Sequence, residues 1–219
     1  MTATLRLEPT RVHTVYRNAA GQRVPSVTTV LGLLNKPALL TWAHEQGLAG
    51  LDFRAVRDAA ADLGTVTHAL VEAHLKATTL DAQNVAPDVL KAANGAAKQF
   101  IGWWAREQLA VVATELPLVS ERWQVGGTCD VLARRASGQL VVVDLKTSSG
   151  IYHEMLLQVA AYAAMVEETK GEPVSECVIV RVSGDDVEVR TVGKRAELAG
   201  AFAALVIARE RLKVAGVRV

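Results

Sequence analysis

Residues 140–146 read Leu-Val-Val-Val-Asp-Leu-Lys, and no other segment of this 219-residue chain so narrows what it can fold into. Side chains alternate across a strand, so three consecutive valines predict a strand buried on both faces, inside a sheet with further layers packed against it. The same strand carries Asp144 and Lys146, which alternate onto one face while Leu145 points to the other. An acid and an amine are thus held together in apolar surroundings, where ionised groups need partners.

The flanking segments supply the rest of the sheet. Val- and Leu-rich runs at residues 110–119, 122–135 and 139–145, with turns at Glu121 and Ser137-Gly138, predict three antiparallel strands. Upstream, residues 12–24 alternate around Asn18-Ala-Ala-Gly21 as a short hairpin. Ser26 caps a helix through Val27, Val30, Leu31 and Leu34, and Pro37 opens another containing Leu40, Trp42 and Ala43. Helical periodicity predicts a long helix over 53–76, carrying His68, and one over 87–108, ending in Trp103 and Trp104. Downstream come a helix over 152–168, strands over 177–182 and 187–192, and a helix over 194–214. The expected class is α/β (α+β), a central mixed five-stranded sheet flanked by helices.

Glycine and proline fall singly between periodic segments, without repeats or low-complexity linkers. One domain over 1–219 is expected, with an N-terminal hairpin and helical region over 1–108 and a sheet core over 109–219. Half the residues are hydrophobic and the formal net charge is +1, which excludes a disordered tail, a collagen-like fibre and a strongly basic DNA-coating protein. Charge is uneven. Residues 1–25 hold four basic side chains against one acidic, and residues 181–219 eight against five, while the middle of the chain is acidic. Basic ends suit a polyanion and an acidic middle suits metal ions, although surpluses of this size are also ordinary surface. Cys129 and Cys177 are too few for a disulfide scaffold or a four-thiolate metal site, and the expected location is a reducing cytoplasm. No stretch reaches the roughly 18 apolar residues of a membrane span, and residues 1–11 lack the apolar core of a signal peptide.

Asp130 and Asp144 both sit where a strand is expected to end, nearly symmetric about the 137–138 turn. Carboxylates brought side by side repel unless a divalent cation neutralises them, and a hard ion such as Mg²⁺ is the natural occupant. Taken alone, Asp144 and Lys146 are as readily a buried salt bridge, with Asp130 a turn acceptor. On the next helix Gln158 and Tyr162, four apart, share a face overlooking these acids; in isolation that stripe is an ordinary solvated face.

Together the residues carry a resemblance. Gly127-Thr-Cys-Asp130, Val143-Asp-Leu-Lys-Thr-Ser148 and Gln158-Val-Ala-Ala-Tyr162 resemble the PD-(D/E)xK nuclease superfamily in its RecB-like, phage-type exonuclease branch. Gly64-Thr-Val-Thr-His68 resembles that branch's helical Gly-x-x-x-His motif. Tyr16, Pro25-Ser-Val-Thr-Thr-Val-Leu31 and Leu40-Thr-Trp42 resemble the amino-terminal region of phage-encoded and mitochondrial genome maintenance exonucleases. The superfamily's proline is absent here, and the four cysteines of its iron-sulfur members are missing, so no such cluster is expected.

The resemblance implies a restriction-endonuclease-like core and a metal-dependent DNA exonuclease acting on free ends with single-stranded character. Its setting would be recombination, repair or phage DNA processing in a bacterial or phage-infected cell, with recombination or replication proteins as partners. It implies Mg²⁺ or Mn²⁺ held by Asp130, Asp144, the Leu145 carbonyl and His68, with catalysis by Lys146 assisted by Gln158 and Tyr162. His68 as a nitrogen ligand predicts tolerance of Mn²⁺. Glu115, Glu72 and Thr147 are further candidates, Glu72 as an acceptor for the His68 imidazole. Trp42, Trp103, Trp104 and Ser148 are candidates for DNA contact, with core packing expected for at least one tryptophan. Histidines 13, 44, 74 and 153 have no motif support. A DNA endonuclease of the same superfamily and a catalytically inactive DNA-binding module are the alternatives.

Overall fold

A computed structural model describes residues 4–6 and 14–218. Val12 and His13, at the start of the expected hairpin, lie outside the described residues. Those that follow form it: β2 (Tyr16–Arg17) pairs antiparallel with β3 (Arg23–Val24), and the turn uses Gly21 at φ +76°. The short strand β1 (Thr4–Arg6) pairs in parallel with β4 (Thr79–Asp81). Sequence periodicity offers no sign of this pair, because three residues are too few to establish an alternation.

The helices begin where local chemistry stops the preceding chain. Ser26 accepts from Thr29 N to cap α1 (Val27–Leu31), and Pro37 opens α2 (Pro37–Leu48). Asp52 accepts from Arg54 N at the start of α3 (Phe53–Leu75), and Pro87 opens α4 (Pro87–Glu107). Three strands follow, β5 (Ala110–Ser120), β6 (Val125–Arg134) and β7 (Leu140–Lys146). Beyond them lie α5 (His153–Lys170), β8 (Val174–Ser183), β9 (Asp186–Thr191) and α6 (Arg195–Val214).

The main sheet has five strands in the order β5-β6-β7-β8-β9. Only β7 and β8 run parallel, joined through α5; the other neighbours are antiparallel. Val27 and Val30 of α1, Val159 and Val166 of α5 and Phe202 of α6 pack against Leu132, Val142 and Ile179 on one face. Val71 of α3 and Ala96, Phe100 and Trp103 of α4 pack against Val131, Val141, Val143 and Val180 on the other. Each buried Val, Leu, Ile or Phe among them contributes about 1.5–3 kcal/mol, and the alternation of 141, 142 and 143 between the clusters is why that strand must be apolar on both faces. By contrast α2 has no fully buried residue, and Leu40 and Leu48 are 70% and 76% exposed. No helix among the described residues is long and apolar enough to cross a membrane.

Candidate active site

Asp130 does not sit at a strand end, contrary to expectation: it lies within β6. What ends beside it is a pairing. The β6–β7 ladder runs from Arg134↔Leu140 to Val131↔Val143 and stops, while β7 continues to Lys146 alongside β8. The same register brings Asp130 and Asp144 opposite each other where the strands part. Beyond the last ladder pair, Leu145 N donates to Asp130 Oδ2 at 2.8 Å, so the carboxylate caps the gap.

Asp144 is fully buried. Its Oδ2 forms an ion pair with Lys146 Nζ at 2.6 Å, while Oδ1 has no hydrogen-bond partner among the described residues. Burial raises the Asp144 pKa to about 6; Lys146 pulls it back and Asp130 adds to the rise. Lys146 moves in the direction that keeps its charge: burial opposes the ammonium, but Asp144 and Asp130 outweigh burial and raise its pKa.

His68, on α3, approaches from the other side. Its Nδ1 lies 3.7 Å from Glu115 Oε1 and 3.8 Å from Asp130 Oδ2. Burial disfavours the imidazolium, yet the two carboxylates prevail and the pKa is raised. Glu115 faces Asp130 across the β5–β6 ladder, between the pairs Thr114↔Val131 and Leu116↔Cys129. It holds φ +45°, a left-handed conformation that costs a non-glycine residue about 1–2 kcal/mol. Ligand atoms of His68, Glu115 and Asp130 all lie within 4.8 Å of one another. Oxygens and a nitrogen at 3.7–3.8 Å are too far apart to bond each other well, and they converge closely enough for small side-chain shifts to bring them onto one divalent cation. With the orphaned Asp144 oxygen beside them, the residues fit such an ion. The three-residue cluster does not include Asp144, whose carboxylate is paired with Lys146.

A cleft of about 630 Å³ runs past this cluster, lined on the α3 side by Ala60, Gly64, His68 and Glu72 and opposite by Leu145, Lys146, Thr147 and Ser148. Gly64 permits the close approach, since a Cβ there would lie 3.1 Å from Thr147 Oγ1. Ser148 is half-buried and donates to Gly150 O. Gln158 donates to the Tyr162 hydroxyl at 2.9 Å, and Tyr162 is buried, so this stripe is not a solvated face. The ring of Tyr162 explains Gly127: a Cβ there would lie 2.5 Å from Tyr162 Cε1. Likewise the Tyr16 ring covers Gly126, and its hydroxyl bonds Thr128 Oγ1 at 2.8 Å.

Two further expectations are corrected. Trp103 and Trp104 are core residues, 4% and 9% exposed and packed with Phe100, so neither offers a face for a base; the helical pattern could not tell which side of α4 meets the sheet. Glu72 pairs with Lys76 one turn along α3, and the carboxylates near His68 are Glu115 and Asp130. Trp42 is half-buried on α2. Glu115 enters the cluster through cross-strand register, which its position in the sequence signals only once β5 and β6 are paired.

Residues 39–215 match the sequence pattern of the PD-(D/E)XK nuclease superfamily. The chain belongs to that superfamily. Among solved structures it is similar to a protein provisionally described as an exonuclease from Eubacterium rectale, with 12% identity and a TM-score of 0.48 over 70% of this chain and 66% of that one. It thus spans just under two thirds of that protein's length. It is also similar to the protein SSO0001, with 15% identity and a TM-score of 0.36 over 68% of this chain and 74% of that one. No curated protein sequence matches.

Proposed function

We propose that this chain is a divalent-metal-dependent deoxyribonuclease that hydrolyses phosphodiester bonds from free DNA ends with single-stranded character. The observation that carries the reading is the buried Asp144–Lys146 pair, with one carboxylate oxygen orphaned, beside the His68, Glu115 and Asp130 cluster at the cleft. A buried salt bridge kept for stability alone would have its oxygens satisfied.

His68, Asp130 and Asp144, with Glu115 and the Leu145 carbonyl, would hold Mg²⁺ or Mn²⁺, the imidazole favouring Mn²⁺. Such an ion supplies Lewis-acid polarisation of the phosphate and a lowered pKa for bound water. Lys146 remains an ammonium at neutral pH, since its carboxylate neighbours raise its pKa; that favours donation to the phosphoryl oxygens as negative charge grows over a role as base. Gln158 and Tyr162, bonded to each other, would steady the water, Lys146 or the scissile phosphate. Small residues of α3, Ala60 and Gly64 among them, leave width along the cleft for a strand. The exposed leucines of α2 and half-buried Trp42 offer apolar surface for unstacked bases.

The test is digestion of labelled linear single-stranded, linear duplex and covalently closed circular DNA with Mn²⁺, Mg²⁺ or EDTA. Linear strands should be degraded only with metal, and circles should survive. Circles cut as fast as linear strands would make the enzyme an endonuclease. DNA bound but never cut, with either metal, would make the chain a binding module.

A further inference from the structure

The two basic ends noted in the sequence meet in one place that the nuclease chemistry leaves unused. A second cleft, of about 520 Å³, lies between the β2–β3 hairpin, the start of α1 and the C-terminal half of α6. Its walls carry Arg23 from the first end and Arg209 and Lys213 from the second, with the hydroxyls of Thr14, Tyr16, Ser26, Thr28 and Thr29, and its lining includes no acidic residue among those described. Three cations and five hydroxyls around one cleft form a donor surface suited to a tetrahedral oxyanion.

The protein leaves part of this donor set unpaired. Arg23 is exposed and has no ion-pair partner among the described residues. Arg209 is only 11% exposed at its side chain, reaches Glu210 through Nη1 at 3.1 Å, and its buried Nε has no hydrogen-bond partner among the described residues. Lys213 Nζ shares the same Glu210 at 3.1 Å. One carboxylate therefore serves two cations, and Arg23 adds a third charge. Ser26 Oγ lies 2.9 Å from Thr28 Oγ1 and 2.8 Å from Thr29 Oγ1, which gathers the hydroxyls at one rim.

Position ties this cleft to the reaction. Tyr16 lines it and bonds Thr128, which stands two residues before Asp130 on β6 and on the same side of the strand, a separation of about 7 Å. That is close to the spacing of successive phosphates along a strand, so a chain whose scissile phosphate lies at Asp130 would carry a neighbouring phosphate toward Tyr16. We propose that this cleft, with Arg23, Arg209, Lys213 and the Ser26, Thr28 and Thr29 hydroxyls, is a phosphate-binding subsite that anchors the backbone of the nucleic-acid strand. The proposal rests on the nuclease reading for its ligand, a phosphate either terminal or within the chain.

The test uses the full chain and an R23Q/K213Q double variant at two accessible positions, with R209Q as a separate variant. The probes are one short oligothymidylate with a 5′-phosphate and the same oligomer with a 5′-hydroxyl, titrated by fluorescence anisotropy in EDTA over a range of salt. Losing two phosphate contacts should weaken binding at least about tenfold and flatten the plot of log affinity against log salt by about 1.4. Loss with both probes assigns the cleft a phosphodiester within the chain; loss with the phosphorylated probe alone assigns it a terminal phosphate. Mn²⁺ affinity measured by calorimetry should be unchanged in the variants. Unaltered DNA affinity and salt slope would overturn the subsite, as would a parallel loss of Mn²⁺ binding, which would place the effect at the metal cluster. A wild-type chain that binds neither probe would sink both readings. Strong binding lost in the variants, without cleavage in Mn²⁺, would leave the subsite standing and remove the nuclease.

Discussion

Asp144 should make the metal-free protein less stable at pH 8 than at pH 5, and replacing it by asparagine should remove much of that difference. Its pKa rises from 3.8 to about 6 on folding, chiefly through burial. An acid whose folded pKa lies above its unfolded value contributes stability that is fully present below the unfolded pKa and is lost as pH rises through the folded one. Integrating between those two values gives a loss of roughly 1–2 kcal/mol from pH 5 to pH 8. Lys146 does not obscure this, because its raised pKa leaves it charged in both states throughout the window. His68, also raised, has the same sign as Asp144 and supplies the dependence that survives in the variant. The assay is urea unfolding in EDTA at both pH values for the wild type and D144N. At an m-value of about 3 kcal/mol/M, the wild-type midpoint should fall by roughly 0.5 M more than the variant's on going to pH 8. Equal shifts in the two proteins would refute the claim that burial of this carboxylate is unrelieved without metal.

K146A should cut at least about 100-fold more slowly while still binding an oligonucleotide in Ca²⁺, because its amine acts on charge that grows in the transition state; equal loss of both would make Lys146 a phosphate anchor instead. E115Q should weaken Mn²⁺ binding by calorimetry about 10- to 100-fold, and an unchanged isotherm would remove Glu115 from the metal's surroundings. G127A should destabilise the protein by about 1–3 kcal/mol in urea, since its new Cβ would meet Tyr162 Cε1 at 2.5 Å; wild-type stability would mean that the ring moves aside at little cost.

Asp130, Asp144 and Lys146 were legible because local rules place them: alternation sets Asp144 and Lys146 on one face, and near-symmetry about one turn sets Asp130 opposite Asp144. The helices and main-sheet strands were legible for the same reason, since apolar periodicity and capping residues act over a few positions, but β6 starts at Val125 rather than 122 and β8 at Val174 rather than 177. The divergence of β7 from β6 was not, because it depends on β7 keeping its pairing with β8, a strand that follows only after α5. Nor was the burial of Trp103 and Trp104, which depends on which face of α4 the sheet claims.

The sequence by itself determined the layered sheet and the acid-and-lysine core of the candidate site, since these follow from side-chain alternation and short-range turns. Only the tertiary structure decided which groups join that core. Glu115 meets His68 through the pairing of β5 with β6 and the packing of α3. Arg23 of β3 lines one cleft with Arg209 and Lys213 of α6, a meeting of the two ends of the chain. Contacts between residues far apart in the chain depend on how whole elements pack, and no local pattern encodes them.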